Sequence, residues 1–213
     1  MTLMDRTYEY LKINYRENEP IFLSEVHIAD MKDVSVRQQM KKLTEEGRIK
    51  RFDTGIYYIP KKTMFRSGST LSVDDIIRRK YLMDGEKKCG YLSGIMFANR
   101  LGLTTQVPMV YEVCSNKATT DYRDTQIGRF RLIIRKPYVE VNDQNADELQ
   151  FLDLMREVGD ISEIEGTELT DRLLSYLRAK GMQFDSLRPY IPFYPDKIYK
   201  NMYEVGLLNG VAS

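Results

Sequence analysis

Residues 35–60 read SVRQQMKKLTEEGRIKRFDTGIYYIP, and this segment carries the clearest fold information in the chain. Ser35 and Gln38 have the spacing of a capping box, in which the serine hydroxyl accepts a hydrogen bond from the backbone N–H of the glutamine. The apolar side chains that follow recur at helical spacing and are Val36, Met40 and Leu43. Gly47 stands where a left-handed residue commonly ends a helix. The segment therefore predicts a helix that Ser35 opens and Gly47 closes.

The periodicity changes after Gly47. Residues 48–52 and 56–60 read as strands, and residues 53–55 form a glycine-containing turn between them. This predicted hairpin carries several basic side chains. A basic hairpin is typical of a wing that contacts a nucleic-acid backbone.

An amphipathic helix precedes these elements. Its apolar stripe consists of Met4, Tyr8, Leu11 and Tyr15. Pro20 breaks the pattern, and residues 24–26 predict the start of a short second helix. Helix, helix, helix and hairpin in this order predict an N-terminal winged helix-turn-helix.

The third predicted helix would read DNA. At about 100° per residue, its outer face shows Gln38, Lys41, Lys42 and Glu45, with Arg37 on the flank. Arginine bridges two acceptors of guanine, glutamine bridges adenine, and lysine neutralises phosphates. The predicted DNA-binding residues are Ser35, Arg37, Gln38, Lys41, Lys42, Arg48, Lys50, Arg51, Lys61 and Lys62. The alternative is a winged helix that contacts only other proteins.

Charge is segregated along the chain although the net charge is only +1. A uniformly basic coat is therefore excluded. Residues 32–66 and 78–139 are basic, and residues 140–174 are acidic. The basic segments could lie along a polyanion. The acidic segment is interpreted as a solvated face, and the alternatives are that it repels the polyanion or docks on a basic partner.

The remainder of the chain predicts a second domain. Small polar residues around Ser67 mark a boundary, which gives domains at residues 1–66 and 67–213. Strands are expected near residues 109–114 and 128–135, and helices dominate after residue 142. The predicted fold class is α+β: a winged helix followed by a mixed α/β domain with a small sheet and a helical C-terminal part.

Sequence motifs of enzymes are absent. There is no Walker A loop, no GxSxG and no GxGxxG, so we expect no enzymatic activity and no cofactor. Cys89 and Cys114 are expected to be thiols, and the single histidine, His27, a surface or packing residue rather than a metal ligand. A metal-dependent nuclease is a distant alternative, for which the available carboxylates are Asp121, Asp124 and Glu140.

Without a signal-peptide pattern or an apolar run of membrane-spanning length, we expect a cytoplasmic protein with no membrane partner.

Several segments resemble one known family. The matching segments are GYLSG at 90–94, LGLTTQVP at 101–108, EVCSNK at 112–117, RKP at 135–137, GIYYIP at 55–60 and the Tyr-Pro pair at 194–195. They look like the AbiEi-like antitoxins of bacterial type IV toxin–antitoxin (abortive infection) systems. The resemblance covers most of the chain, and residues 101–108 are its more specific part.

This resemblance implies a function. Members bind inverted repeats in their own promoter through the winged helix and repress transcription. The C-terminal domain is required to neutralise a nucleotidyltransferase-like toxin, without stable contact between the two proteins. Carried onto this chain, Arg37, Gln38, Lys41 and Lys42 would read the groove, and the hairpin cations would lie on the wing. No antitoxic residues can be assigned individually.

Overall fold

The computed structural model describes residues 2–62, 68–107 and 109–208. The chain forms two compact units, Met1–Arg79 and Lys80–Ser213. The predicted boundary at residue 67 lies outside the described residues, and the division between the units falls later. Residues after the gap remain attached to the first unit, since the Tyr58 hydroxyl donates to the carbonyl of Ser69 at 2.9 Å. Similarly, Arg79 donates to the carbonyl of Pro20 at 3.0 Å.

The first unit combines helices with a small antiparallel sheet. Its elements are α1 (Leu3–Asn14), β1 (Ile21–Phe22), a 3-10 turn (Leu23–Glu25), α2 (Asp33–Glu45), β2 (Lys50–Asp53), β3 (Ile56–Tyr58) and α3 (Val73–Ile77). The strand order is β1-β3-β2, with both pairs antiparallel. Leu11, Met40 and Leu43 are fully buried, so α1 and α2 both direct their apolar stripe into one core.

A capping box opens α1 rather than α2. Thr2 accepts a hydrogen bond from the N–H of Asp5, and the Asp5 carboxylate accepts one from the N–H of Thr2. The predicted capping box at Ser35 is wrong, because the N-cap of α2 lies three residues earlier. Lys32 is its N-cap residue and makes no side-chain capping bond, so Ser35 lies within the first turn.

The end of α2 and the hairpin are as predicted. Gly47 has a φ of 70° and donates its N–H to the carbonyl of Thr44 at 3.0 Å, which stops the helix. The hairpin turns at Gly55, whose φ is 73°. The predicted second helix at residues 24–26 is instead the single 3-10 turn, because its N-terminal neighbours Ile21 and Phe22 are drawn into a strand that pairs with β3.

The second unit packs helices against a mixed sheet. Its strands are β4 (Met83–Asp84), β5 (Lys87–Lys88), β6 (Gly90–Ser93), β7 (Val110–Ser115), β8 (Tyr122–Ile127) and β9 (Phe130–Arg135). Its helices are α4 (Gly94–Arg100), α5 (Ala146–Ile161), α6 (Gly166–Ala179), α7 (Phe184–Leu187) and α8 (Lys197–Glu204). A π-helical turn (Arg78–Leu82) bridges the two units along the chain, and a 3-10 turn (Ile191–Phe193) precedes α8.

The larger sheet of the second unit has the order β6-β7-β9-β8. Strands β7 and β9 are parallel, and the other neighbouring pairs are antiparallel. Helix α5 supplies the centre of the core, with Leu149, Phe151 and Met155 fully buried. The fold is therefore α+β, as the sequence predicts. Within the part of the chain that the structure describes, no helix is both long and apolar enough to cross a bilayer.

Candidate nucleic-acid interface

The outer face of α2 presents the predicted groove-reading side chains to solvent. Arg37, Gln38, Lys41 and Lys42 are all exposed. This follows from the apolar stripe, because packing Met40 into the core turns the opposite side of the helix outward.

Cations on this face are weakly engaged. Lys41 lies 3.8 Å from Glu45, in a pair whose side chains are both largely exposed, so the interaction contributes little. Arg37 and Lys42 form no ion pair with any described residue. Both side chains can therefore be redirected toward a ligand at low cost.

Val34 joins the same face, and sequence reasoning missed it. The side chain is 63% exposed and stands one turn before Gln38. The signal was the helix start: a helix that begins at Asp33, rather than at Ser35, includes Val34 on its outer face. Ser35 itself is half-buried, so of the predicted site residues on α2 it is the least accessible.

Arg48 is committed to contacts within the first unit. Its guanidinium lies 3.2 Å from the carboxylate of Asp5, 3.9 Å from that of Glu46, and 4.0 Å from the centre of the Tyr8 ring. Hydrogen bonds from Thr2 and Arg48 lower the pKa of Asp5. Arg48 thus joins the base of the hairpin to α1, and its contact with DNA stays a prediction.

The hairpin cations differ in availability. Arg51 is exposed but hydrogen-bonded across the turn, to the carbonyl of Asp53 at 3.2 Å and to the Thr54 hydroxyl at 3.0 Å. Lys50 is half-buried, and its ammonium lies against the backbone at Gly68. Lys61 and Lys62 are exposed immediately beyond β3. Of the predicted hairpin cations, Arg51, Lys61 and Lys62 are therefore the exposed ones.

The alternative carboxylates do not form a metal site among the described residues. Asp124 is held by Arg131, with Nε 2.9 Å from Oδ2, and this pair lowers the pKa of Asp124. Asp121 and Glu140 are exposed on segments before β8 and after β9. Cys89 and Cys114 are buried free thiols, and His27 is exposed.

The second unit contains a partly buried charged cluster, which we call the Arg135 cluster. It consists of Ser93, Glu112, Arg135, Asp153, Arg156 and Glu157. Arg135 on β9 lies 3.4 Å from Glu112, 3.5 Å from Asp153 and 3.1 Å from Glu157. Arg156 lies 3.3 Å from Asp153 and also contacts Glu157. Ser93 donates to Asp153.

Burial dominates the electrostatics of the Arg135 cluster. It raises the pKa of Glu112 and of Glu157, with Arg135 opposing the shift in each case. The carboxylates in turn raise the pKa of Arg135 against its own burial. The residues of the Arg135 cluster come from strands β6, β7 and β9 and helix α5. No local sequence motif therefore indicates the cluster. Such a cluster fixes α5 against the sheet, since removing one partner would leave another charge buried and unpaired.

Comparison with known proteins finds one family. The family is described as "Family of unknown function (DUF6088)", and its profile matches residues 10–152, more than half of the chain. The match includes α2, the hairpin and the sheet of the second unit. None of the curated proteins matches the chain.

Proposed function

The chain belongs to the DUF6088 family of unknown function, and we propose that its first unit is a winged helix that binds duplex DNA. The observation that carries this proposal is the outer face of α2, where Arg37, Gln38 and Lys41 stand exposed beside one another. A basic hairpin follows the helix directly, with Lys61 and Lys62 exposed at its end. Helix and hairpin in this order match a recognition helix and its wing.

The chemistry of the face suits the major groove. Arg37 can donate two hydrogen bonds to guanine O6 and N7, and Gln38 can bridge N6 and N7 of adenine. Lys41 and Lys42 are placed to neutralise phosphates. Val34 adds an apolar contact of the kind that recognises the methyl group of thymine. The proposed interface thus contains both sequence-reading and charge-neutralising side chains.

We further propose that the chain is a transcriptional autorepressor that also serves as an antitoxin. The support for this part is the sequence resemblance of residues 90–137 to AbiEi-like antitoxins. A nucleotidyltransferase-like toxin would be the functional partner. Co-expression with a toxin from the neighbouring reading frame should restore bacterial growth; persistent growth arrest would refute the antitoxic role while leaving DNA binding untouched.

DNA binding is tested by selecting bound sequences from a random duplex library and measuring affinity by fluorescence anisotropy at several salt concentrations. If about five phosphates are contacted, log K should fall with a slope near −4.5 against log salt. An absence of sequence preference, or a slope near zero, would contradict the proposal.

Substitutions on α2 distinguish side chains that contact phosphates from those that contact bases. Lys41→Ala with Lys42→Ala should weaken binding to every duplex and reduce the salt slope by about 1.8, because two phosphate contacts are lost. Gln38→Ala should cost about 1–3 kcal/mol of discrimination at one base pair and leave affinity for unrelated duplexes nearly unchanged.

The matched control is Lys12→Ala with Arg16→Ala, which removes two exposed cations from α1 and its C-terminal end. This control should bind as the unmodified protein does. Equal losses in both double variants would assign the effect to overall charge and would remove α2 from the proposed interface.

The protein-interaction alternative predicts no DNA binding by the unmodified protein or by any variant. The nuclease alternative predicts Mg²⁺-dependent cleavage that Asp124→Ala abolishes.

A further inference from the structure

Strand β8 forms an outer edge of the four-stranded sheet. It pairs with β9 on one side, and no strand of the described residues pairs with it on the other. The six residues Tyr122–Ile127 run without a register shift and contain no proline. An edge strand of this kind presents unpaired backbone donors and acceptors that favour pairing with another chain.

The register identifies the backbone groups at the free edge. The N–H of Lys136 donates to the carbonyl of Asp121 at 3.2 Å, which makes these opposite residues a hydrogen-bonded pair. Such pairs alternate along an antiparallel ladder. Thr125, opposite Leu132, is therefore bonded to β9, whereas Asp124 and Gln126 direct their N–H and C=O groups outward.

We propose that a second copy of this chain pairs antiparallel with β8 and joins two four-stranded sheets into one continuous sheet. In the register that centres the two-fold axis on Thr125, Asp124 of each copy faces Gln126 of the other. These are outward-bonding residues, so each pair exchanges both backbone hydrogen bonds. The inference goes beyond DNA binding and does not depend on it.

Side-chain complementarity favours this register over the two that centre on Asp124 or Arg123. The carboxylate of Asp124 meets the amide of Gln126, and threonine meets threonine, both of which are favourable cross-strand pairs. Moving the axis to Asp124 would place two carboxylates directly opposite each other, and moving it to Arg123 would do the same with two guanidiniums. Like charges in these positions are destabilising.

A two-fold pairing of this kind is closed and should stop at two copies. The pairing is isologous, because each copy uses the same strand and thereby consumes its own free edge. The opposite edge of the sheet, β6, is fully buried. Open-ended growth through this sheet is therefore prevented.

Analytical ultracentrifugation of the full chain tests the proposal. The mass should rise from 25.0 kDa toward twice that value across about 1–300 μM, since a single strand pair forms a small and weak interface. A monomer throughout this range would overturn the proposal, even if the edge binds another molecule.

Gln126→Pro removes an outward N–H without breaking a bond to β9 and should abolish the dimer. Gln126→Ala, which keeps the N–H, is the control for the side chain and should weaken the dimer by less than tenfold. Because the proline variant could disturb β8 itself, a second pair of variants changes charge alone. Gln126→Glu should weaken the dimer by about tenfold through repulsion from Asp124, and Gln126→Lys should not weaken it. A dimer that is indifferent to all four variants would exclude β8 as the interface.

Disulfide trapping tests the register directly. At the two-fold axis the Thr125 residues form a non-hydrogen-bonded pair with Cα atoms about 4.5 Å apart, within the range a disulfide spans. Thr125→Cys should cross-link two copies on oxidation. Arg123→Cys would stand about 13 Å from its equivalent and should not. Cys89 and Cys114 are only 6% and 3% exposed and do not compete. Cross-linking by Arg123→Cys, or by neither variant, would refute the proposed register.

Discussion

Arg135 shows how a single side chain can organise the interior of the second unit. Its guanidinium contacts carboxylates from β7 and α5, so the sheet and its covering helix share one set of charges. Because Glu112 and Glu157 are both half-buried, the folded protein holds protons on them more tightly than the unfolded chain does. The stability of this unit should therefore depend on pH.

Glu112→Gln tests the sign of this dependence. Burial raises the pKa of Glu112 above its ordinary value of 4.5, so its contribution to folding is complete below that value and is lost as pH rises through the raised pKa. Glutamine does not titrate, so the stability of the variant relative to the unmodified protein should rise over this window, in addition to a pH-independent loss from the missing charge beside Arg135. The gain is about 1.4 kcal/mol for each pH unit by which the folded-state pKa exceeds the unfolded one.

Urea unfolding at pH 4 and at pH 8 measures the difference. Asp124→Asn is the control of opposite sign, because Arg131 lowers the pKa of Asp124, and the stability this pair contributes is lost as pH falls through the lowered pKa. A difference between Glu112→Gln and the unmodified protein that does not change with pH would contradict the assigned shift.

Two glycines at helical positions, Gly94 and Gly159, differ in backbone conformation and in the space around them. Gly94 begins α4 with a φ of 61°, and a Cβ atom there would lie 2.4 Å from Oε1 of Glu112. At Gly159, within α5, the corresponding position has no atom within 4 Å apart from its chain neighbours and the nearby backbone of its own helix. The two glycines therefore occupy opposite environments.

Gly94→Ala should destabilise the protein by about 1–2 kcal/mol from backbone conformation alone, with a further loss because Glu112 must move away from Arg135. Gly159→Ala should stabilise it by about 0.8–1 kcal/mol, the ordinary gain for this change within a helix. Both are measured by denaturant unfolding. Equal effects of the two substitutions would show that Gly94 is not constrained as the structure indicates.

Helices and hairpins were predictable from the sequence where local chemistry decides them. The apolar stripes of α1 and α2 and the left-handed positions at Gly47 and Gly55 all act within a few residues. The start of α2 was not, since a serine followed by a glutamine at this spacing also occurs inside helices. A threonine and an aspartate with the same spacing, Thr2 and Asp5, form the capping box that the structure contains.

Long-range contacts explain the rest of what sequence reasoning missed. Strand β1 exists because Ile21 and Phe22 pair with residues of β3 that lie far along the chain. The contacts of Arg48 with Asp5 and Tyr8 were also missed, because these partners come from another helix. The exposed face of α2 was predictable because one apolar stripe determines it. The DNA-binding role of that face remains a prediction.

Over the chain as a whole, segregated charge leads to a prediction about which unit binds DNA. Residues 78–139 are as basic as the proposed interface, but they are followed by the acidic residues 140–174. Lys87→Ala with Lys136→Ala removes two exposed lysines from the second unit, which is the same change in net charge as Lys41→Ala with Lys42→Ala.

If the first unit alone contacts DNA, the second-unit pair should leave affinity within about twofold and the salt slope unchanged, because no phosphate contact is lost. Fluorescence anisotropy against salt concentration makes the comparison. A reduction in slope as large as that of the first-unit pair would extend the interface to both units.

The two buried thiols have a practical consequence for anyone working with this protein. Cys114 lies within β7 and Cys89 immediately precedes β6, and burial raises the pKa of both. An alkylating reagent attacks the thiolate and needs access to it. The rate at which the folded protein is labelled would therefore report how often the four-stranded sheet of the second unit opens transiently. No probe would have to be introduced for this measurement.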